Sequence, residues 1–323
     1  MKSIKDKKLL IYGTGAVGGY YGGALVKAGY DVTFVARGKT YAVLRENGLT
    51  LITDGKKEII PINVNAIHEL PQQERFDYIF ICVKSKDTKV AAEQIKNNVG
   101  PSTSVLSFQN GVDNEEIIGG IVGIDKVIGA NVYVASMQME PGVIDQFGYN
   151  AVVIGELDRK QSKRVSELKN ILESAGILCT IPADIMAELW NKLVWNASFN
   201  PVSVVTGETV DKILENKELF ELVRNIMIEV RDVAIAHGIN IRKDTVEFNL
   251  ERSKGVNKRT MDGAQNFIGF KTSMLQDFER GKPLEIEELA GVVIRKAKEK
   301  NIPVPNIKKV YNEVKQKTIK TKV

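Results

Sequence analysis

The sequence predicts an α/β chain: a doubly wound, mainly parallel sheet in the N-terminal part and an all-α domain after it. Three observations carry that expectation. Strand-like apolar runs alternate with helix-length segments through the first half, a glycine-punctuated turn joins the first strand to the first helix, and apolar residues beyond Pro182 recur at three- and four-residue spacings. We divide the chain into residues 1–182 and 183–323, since 323 residues accommodate two domains with adequate cores.

The first strand is Leu9-Leu10-Ile11-Tyr12, and Gly13, Thr14, Gly15, Ala16, Val17 and Gly18 follow it. A helix from Ala16 to Ala28 is stopped by Gly29, and a second strand over Asp31–Ala36 completes a βαβ unit. In a Rossmann-type dinucleotide site Gly13 makes the tight turn, Gly15 admits a pyrophosphate and Gly18 lets helix and strand pack closely. The N–H groups at the helix start face the negative charge. After the second strand a NAD site offers an acidic side chain to the ribose, but this chain offers Arg37-Gly38-Lys39. A cation there favours a 2′-phosphate, hence NADP.

A short helix around Tyr41 to Asn47 leads to the extended pieces Leu49–Thr53 and Lys57–Ile62, a hairpin about Asp54-Gly55. The apolar strand Tyr78–Val83 ends at Lys84 and gives way to a helix from Asp87 to Asn98. Ser104–Phe108 is the next strand, running into Gln109-Asn110-Gly111 before a helix capped near Asp113. Lys84 and Asn110 therefore stand just past the carboxyl ends of strands, where open α/β sheets bind ligands; Asn-Gly is equally a common tight turn. Antiparallel strands from Lys126 to Gly155 turn at Pro141-Gly142, and a polar helix over Gln161 to Ser174 and a strand over Ile177–Ile181 close the domain. Helices are expected at Ile185–Phe199, Leu219–Ala236 and Leu289–Ala297.

Composition excludes several classes. Charged residues are 26% and hydrophobic ones 43%, as in globular proteins. The net charge of +5 is mild, and the lysines between Lys308 and Lys322 lack the interleaved aromatics of a nucleic-acid arm. Cys82 and Cys179 both lie in apolar runs, and two cysteines offer neither a disulfide framework nor a metal cluster. No run reaches membrane-spanning length and the polar start does not read as a signal peptide, so the expectation is a cytoplasmic protein without nucleic-acid or membrane partners. His68 and His237 read as structural.

Lys192, Asn196 and Asn200 recur every four residues and share one helical face, beside the apolar Leu189, Leu193 and Val194. A polar cleft explains the register; the alternative, a surface cation on a helix that the asparagines end before Pro201, accounts for Asn200 but poorly for three donors in register on a helix flanked by Trp190 and Trp195. Arg252, Lys254, Lys258 and Arg259 read as a solvated charged loop.

The glycine motif, Arg37, Gln109-Asn110-Gly111, Glu188-Leu189-Trp190-Asn191-Lys192-Leu193 with Asn196 and Asn200-Pro201, Ser273-Met274-Leu275-Gln276-Asp277 and Glu285-Ile286 together resemble the ketopantoate reductases, in order from Leu9 to Val310. The resemblance implies an NADPH-dependent 2-dehydropantoate 2-reductase of pantothenate synthesis, with a Rossmann domain, an all-helical second domain and the active site in the cleft between them. It implies Lys192 as general acid, Glu285 as a catalytic partner that binds and orients the substrate hydroxyl and carbonyl region and also contacts the cofactor, and Ser273 as a ligand of the substrate carboxylate. Asn196 and Asn200 would hold the distal hydroxyl, Asn110 would sit beside nicotinamide and substrate, and Lys84 and Arg37 would serve the cofactor. Thr272 stands where a second serine is common, and the segment after Glu285 is unusually acidic. The chemistry suits the residues: hydride addition to a ketone builds negative charge on its oxygen, which a cationic proton donor stabilises.

Three rivals stand beside this reading: a reductase of another branched 2-oxo acid, a polyol- or glycerol-phosphate dehydrogenase of the same two-domain plan with Arg252, Lys254, Lys258 and Arg259 as its phosphate pocket, and a non-catalytic NADPH-binding regulator. The apolar stripe of Leu219–Ala236 packs within its domain or against a second copy, which would make a homodimer.

Overall fold

The computed structural model describes residues 4–66, 70, 71, 74–254 and 269–320. His68, Lys258, Arg259 and Lys322 lie outside the described residues. The chain forms two compact units, one of residues 1–109 and 113–185, the other of residues 110–112 and 186–323. The parting thus falls at Met186 rather than after Pro182, and a three-residue segment from the first half belongs with the second unit.

In the first unit β1 (Lys8–Tyr12), α1 (Ala16–Lys27) and β2 (Asp31–Ala36) form the βαβ unit. They are followed by α2 (Gly38–Asn47), β3 (Leu49–Thr53), β4 (Lys56–Ile60), β5 (Asn63–Ala66), β6 (Tyr78–Ile81), α3 (Thr88–Ile95), β7 (Ser104–Ser107), α4 (Asn114–Val122), β8 (Val127–Glu140), β9 (Val143–Glu156), α5 (Lys163–Ser174) and β10 (Leu178–Thr180). Ten strands join one sheet in the order β4-β3-β9-β8-β7-β6-β1-β2-β5, with β10 on β9. From β8 through β7, β6, β1 and β2 to β5 the pairings are parallel, while β8–β9 and β3–β4 are antiparallel. Leu9 and Ile11 of β1 enter one core cluster and Leu10 and Tyr12 the other, so both faces of the sheet are covered. The β3–β4 hairpin turns on Asp54 and Gly55, both with positive φ, the geometry its strand twist requires. The strand β5 was not expected, because four residues are too few for a period-two signal to stand out.

Since β1 lies between β2 and β6, the chain leaves it in one direction and later returns to its other side. That switch point opens a crevice at the carboxyl ends of β1 and β6, where ligands of such sheets bind.

The second unit is helical: α6 (Ile185–Thr206), α7 (Val210–Glu215), α8 (Lys217–Ala236), α9 (Thr245–Ser253), α10 (Ser273–Glu279), α11 (Val292–Glu299) and α12 (Pro305–Lys320), with a π-helical stretch at Glu287–Gly291 leading into α11. Contrary to expectation, α6 does not stop before Pro201 but carries it inside. The proline removes one helical hydrogen bond, and burial of Phe199, Val202 and Val204 beyond solvent contact outweighs that local cost. The buried Glu229 of α8 accepts from the N–H groups of Asn306 and Ile307, tying down the first turn of α12. His237 ends α8 with Nε2 2.9 Å from the Lys296 carbonyl. Among the described residues no helix is long and apolar enough to cross a membrane, and no cluster of side chains could hold a metal ion.

Candidate active site

The glycine turn has the shape its residues predict. Gly13 adopts φ 105°, and its N–H donates to the Val35 carbonyl at 3.1 Å. A Cβ there would come within 2.7 Å of Val83 Cγ1, and one on Gly18 would collide with the Gly13 carbonyl. Thr14 is buried, and its hydroxyl donates to the same Val35 carbonyl, which braces the turn. At Gly15, the N-cap of α1, a Cβ would meet nothing within 4 Å. With Ala16 and Val17 beginning the helix, its N-terminus is open on the side where a side chain would stand. That space and those N–H groups fit a pyrophosphate.

Arg37 is the N-cap residue of α2, with its side chain 73% exposed and Nη2 3.4 Å from Asp87 Oδ2. Lys84 is exposed at the head of the turn after β6 that ends in Asp87. That turn is locked from below by residues not assigned a role from sequence. The buried Gln109 donates from Nε2 to the Val83 carbonyl and to Thr88 Oγ1, each at 2.9 Å, and accepts from Ser107 Oγ at 2.9 Å. Thr88 Oγ1 also lies 2.7 Å from the Ser85 carbonyl and 2.8 Å from Asn114 Oδ1. A glutamine directly after a strand was the available signal. Asn110, half-buried, begins the short segment that belongs with the second unit.

In that unit α6 orders Lys192, Asn196, Asn200 and Ser203 along one side. Burial pushes the Lys192 amine down to about 8, Glu285 acting against the change and Arg252 adding to it. The carboxylate of Glu285 favours the ammonium, but desolvation is the larger effect. Glu285 stands just before the π-helical turn, its carbonyl accepting from Leu289 N at 3.2 Å. Such turns recur at functional sites. Arg252 is not in a solvated loop: it occupies the last turn of α9, half-buried. The run of basic residues marked it from sequence, but its surroundings are made by helix packing.

Asn196, Asn200 and Ser273 form a connected chain. Asn200 Oδ1 accepts from Met274 N at 3.1 Å and Ser273 Oγ at 3.3 Å, while its Nδ2 donates to Asn196 Oδ1 at 3.4 Å. Thr272, the N-cap of α10, accepts from Leu275 N and meets Ser203 Oγ at 2.5 Å. Thr272 is fully buried, whereas Ser273 is exposed at the first helical position.

The sequence matches the family model for ketopantoate reductase PanE/ApbA over residues 9–159 and that for the family's C-terminal part over residues 184–318. A 2-dehydropantoate 2-reductase of Mesorhizobium japonicum is 34% identical, over 93% of this chain and 94% of its own length. The crystal structure of 2-dehydropantoate 2-reductase from Geobacter metallireducens GS-15 is 29% identical, covers 96% of this chain and 100% of its own, and superposes with a TM-score of 0.85. A D-mandelate dehydrogenase structure, 21% identical over 98% of this chain and 99% of its own, reaches 0.87 and attests the fold alone.

Proposed function

This chain belongs to the ketopantoate reductase PanE/ApbA family, and from that premise we propose that it is a cytoplasmic, NADPH-dependent 2-dehydropantoate 2-reductase forming (R)-pantoate for pantothenate and coenzyme A synthesis. The observation that carries the reading is Lys192, an amine brought by burial to about 8 in the company of Glu285. An acid whose pKa lies near the working pH is the kind that transfers a proton efficiently.

Gly13 to Gly18 would hold the pyrophosphate, and Arg37 with Lys84 the phosphate-bearing ribose. When bound, NADPH supplies the hydride that reaches the 2-oxo carbon. Lys192 stabilises the oxyanion and passes its proton to that oxygen, while Glu285 orients the ammonium and favours its protonated form. The Ser273 hydroxyl exchanges its bond to Asn200 Oδ1 for one to the substrate carboxylate, and Asn196 serves the distal hydroxyl.

One observation favours a second reading, reduction of another branched 2-oxo acid. Asn200 Oδ1 is already engaged by Met274 N and Ser273 Oγ, so its amide supports α10 instead of awaiting a substrate hydroxyl. Loss of NADPH absorbance on adding ketopantoate tests the proposal, with 2-oxoisovalerate, which lacks that hydroxyl, as the comparison. A site that binds the hydroxyl rejects the analogue strongly. Equal kcat/KM for both acids favours the second reading, and no oxidation of NADPH with either leaves a non-catalytic NADPH-binding protein.

A further inference from the structure

The helix α9 docks on the Lys192 turn of α6 through side chains spaced four residues apart. Thr245 Oγ1 donates to Asn191 Oδ1 at 2.9 Å, and Asn249 Nδ2 reaches the Asn191 carbonyl at 3.4 Å. The Trp195 indole N–H donates to Ser253 Oγ at 2.9 Å. Thr245, Asn249 and Ser253 therefore make the docked face, and Arg252 shares the last of those turns, three residues past Asn249 and next to Ser253. On the facing helix Lys192 lies within the turn bounded by Asn191 and Trp195.

The docking sets Arg252 on the turn of α9 that faces the Lys192 turn of α6, near enough for its guanidinium to act on the amine. The charged side chains acting on the Lys192 amine are the carboxylate of Glu285 and the guanidinium of Arg252. Like charges held together in a partly buried setting repel, and an anion arriving beside them relieves that repulsion, whereas a neutral ligand does not.

We infer that Arg252, set beside Lys192 by the docking of α9 on α6, selects substrates that carry an anionic group next to the reacting carbonyl. The inference rests on the reductase reading above and adds to it a specificity-determining residue. A 2-oxo acid places its carboxylate on the carbon bonded to the carbonyl, so one guanidinium favours the carboxylate while the adjacent amine serves the carbonyl oxygen. Ser273 supplies a directional hydrogen bond to the same carboxylate; Arg252 supplies charge.

The test compares wild type, Arg252→Gln and Arg252→Lys on a 2-oxo acid and on its neutral methyl ester. The Gln variant is expected to lose about tenfold or more in kcat/KM on the acid, chiefly through KM, with the ester changed by less than about threefold, and the Lys variant to recover most of the loss. Equal losses on acid and ester would assign Arg252 a packing role and overturn the inference, as would an unchanged acid-to-ester ratio. A second readout needs no turnover: oxalate titration of the Lys192 resonance by NMR of protein with 13C-methylated lysines, with Lys192→Arg as the blank. Wild type should saturate at about tenfold lower oxalate than Arg252→Gln; equal midpoints overturn the inference even if wild type reduces no 2-oxo acid, a result that would separately sink the reductase reading.

Discussion

Gln109 Nε2 donates to Thr88 Oγ1 at 2.9 Å, and both side chains are buried at the carboxyl edge of the sheet. Through the second bond of the same amide, to the Val83 carbonyl, the loop after β7 fixes the loop after β6. One of these loops carries Lys84 and the other continues into Asn110, so the amide sets the starting point of both. Replacing Gln109 with Leu leaves the Val83 carbonyl and the buried hydroxyls of Thr88 and Ser107 each short of a partner, at about 1–3 kcal/mol. The expected outcome is a melting temperature lower by several degrees, together with a fall in kcat larger than the change in NADPH affinity. An unaltered melting curve would mean that the two loops hold themselves.

The Lys192 amine, lowered to about 8 by burial, makes a prediction with a sign. A proton donor must be charged to act, so kcat/KM in the reductive direction should be flat below pH 8 and decline about tenfold per unit above it. Lys192→Ala should lose about 10²- to 10⁴-fold in turnover and the basic limb with it. A variant that keeps the limb would assign the titration to another group.

Arg37 is exposed and 3.4 Å from Asp87, so its pair with that carboxylate is weak and available for exchange. Arg37→Asp should raise the NADPH dissociation constant by about 10- to 100-fold while leaving that for NADH nearly unchanged, because only the former carries a 2′-phosphate. Fluorescence titration of the two cofactors measures the ratio directly. Equal weakening would remove Arg37 from cofactor discrimination.

These sites differ in how far they could be read from residues alone. The βαβ unit was legible because Gly13 and Gly18 are constrained by neighbours within the same short stretch and by Cys82 and Val83 at the end of an obvious strand. The four-residue register of Lys192, Asn196 and Asn200 was legible as a helical face, but Pro201 falsely signalled an end. The local cost of proline is visible in sequence, whereas the core contacts of Val202 and Val204 that outweigh it come from distant helices. Arg252 was misread for the same reason. Its partly buried position exists only because Thr245, Asn249 and Ser253 meet a helix some sixty residues earlier, a fact no local pattern records.

Glu115 supplies the last prediction. It lies in the first turn of α4, 3% exposed, and one of its carboxylate oxygens is buried without a hydrogen-bond partner among the described residues. Burial raises its pKa to about 7, Asp113 adding to the rise and N–H donation from Ala130 opposing it. The folded protein therefore binds this proton more tightly than the unfolded chain, whose glutamate titrates near the ordinary value. Between those two values the folded state carries more protons, so stability contributed by the neutral form is present in acid and is lost as pH rises through about 7. The full span is on the order of 1–3 kcal/mol once partial relaxation is allowed. Glu115→Gln keeps an acceptor for the Ala130 N–H and cannot ionise, so its stability should change less between pH 5 and pH 8 than that of the wild type. Urea unfolding at the two pH values measures the difference, and parallel losses in both proteins would show that Glu115 is already ionised at neutral pH and that its second oxygen finds a solvent partner.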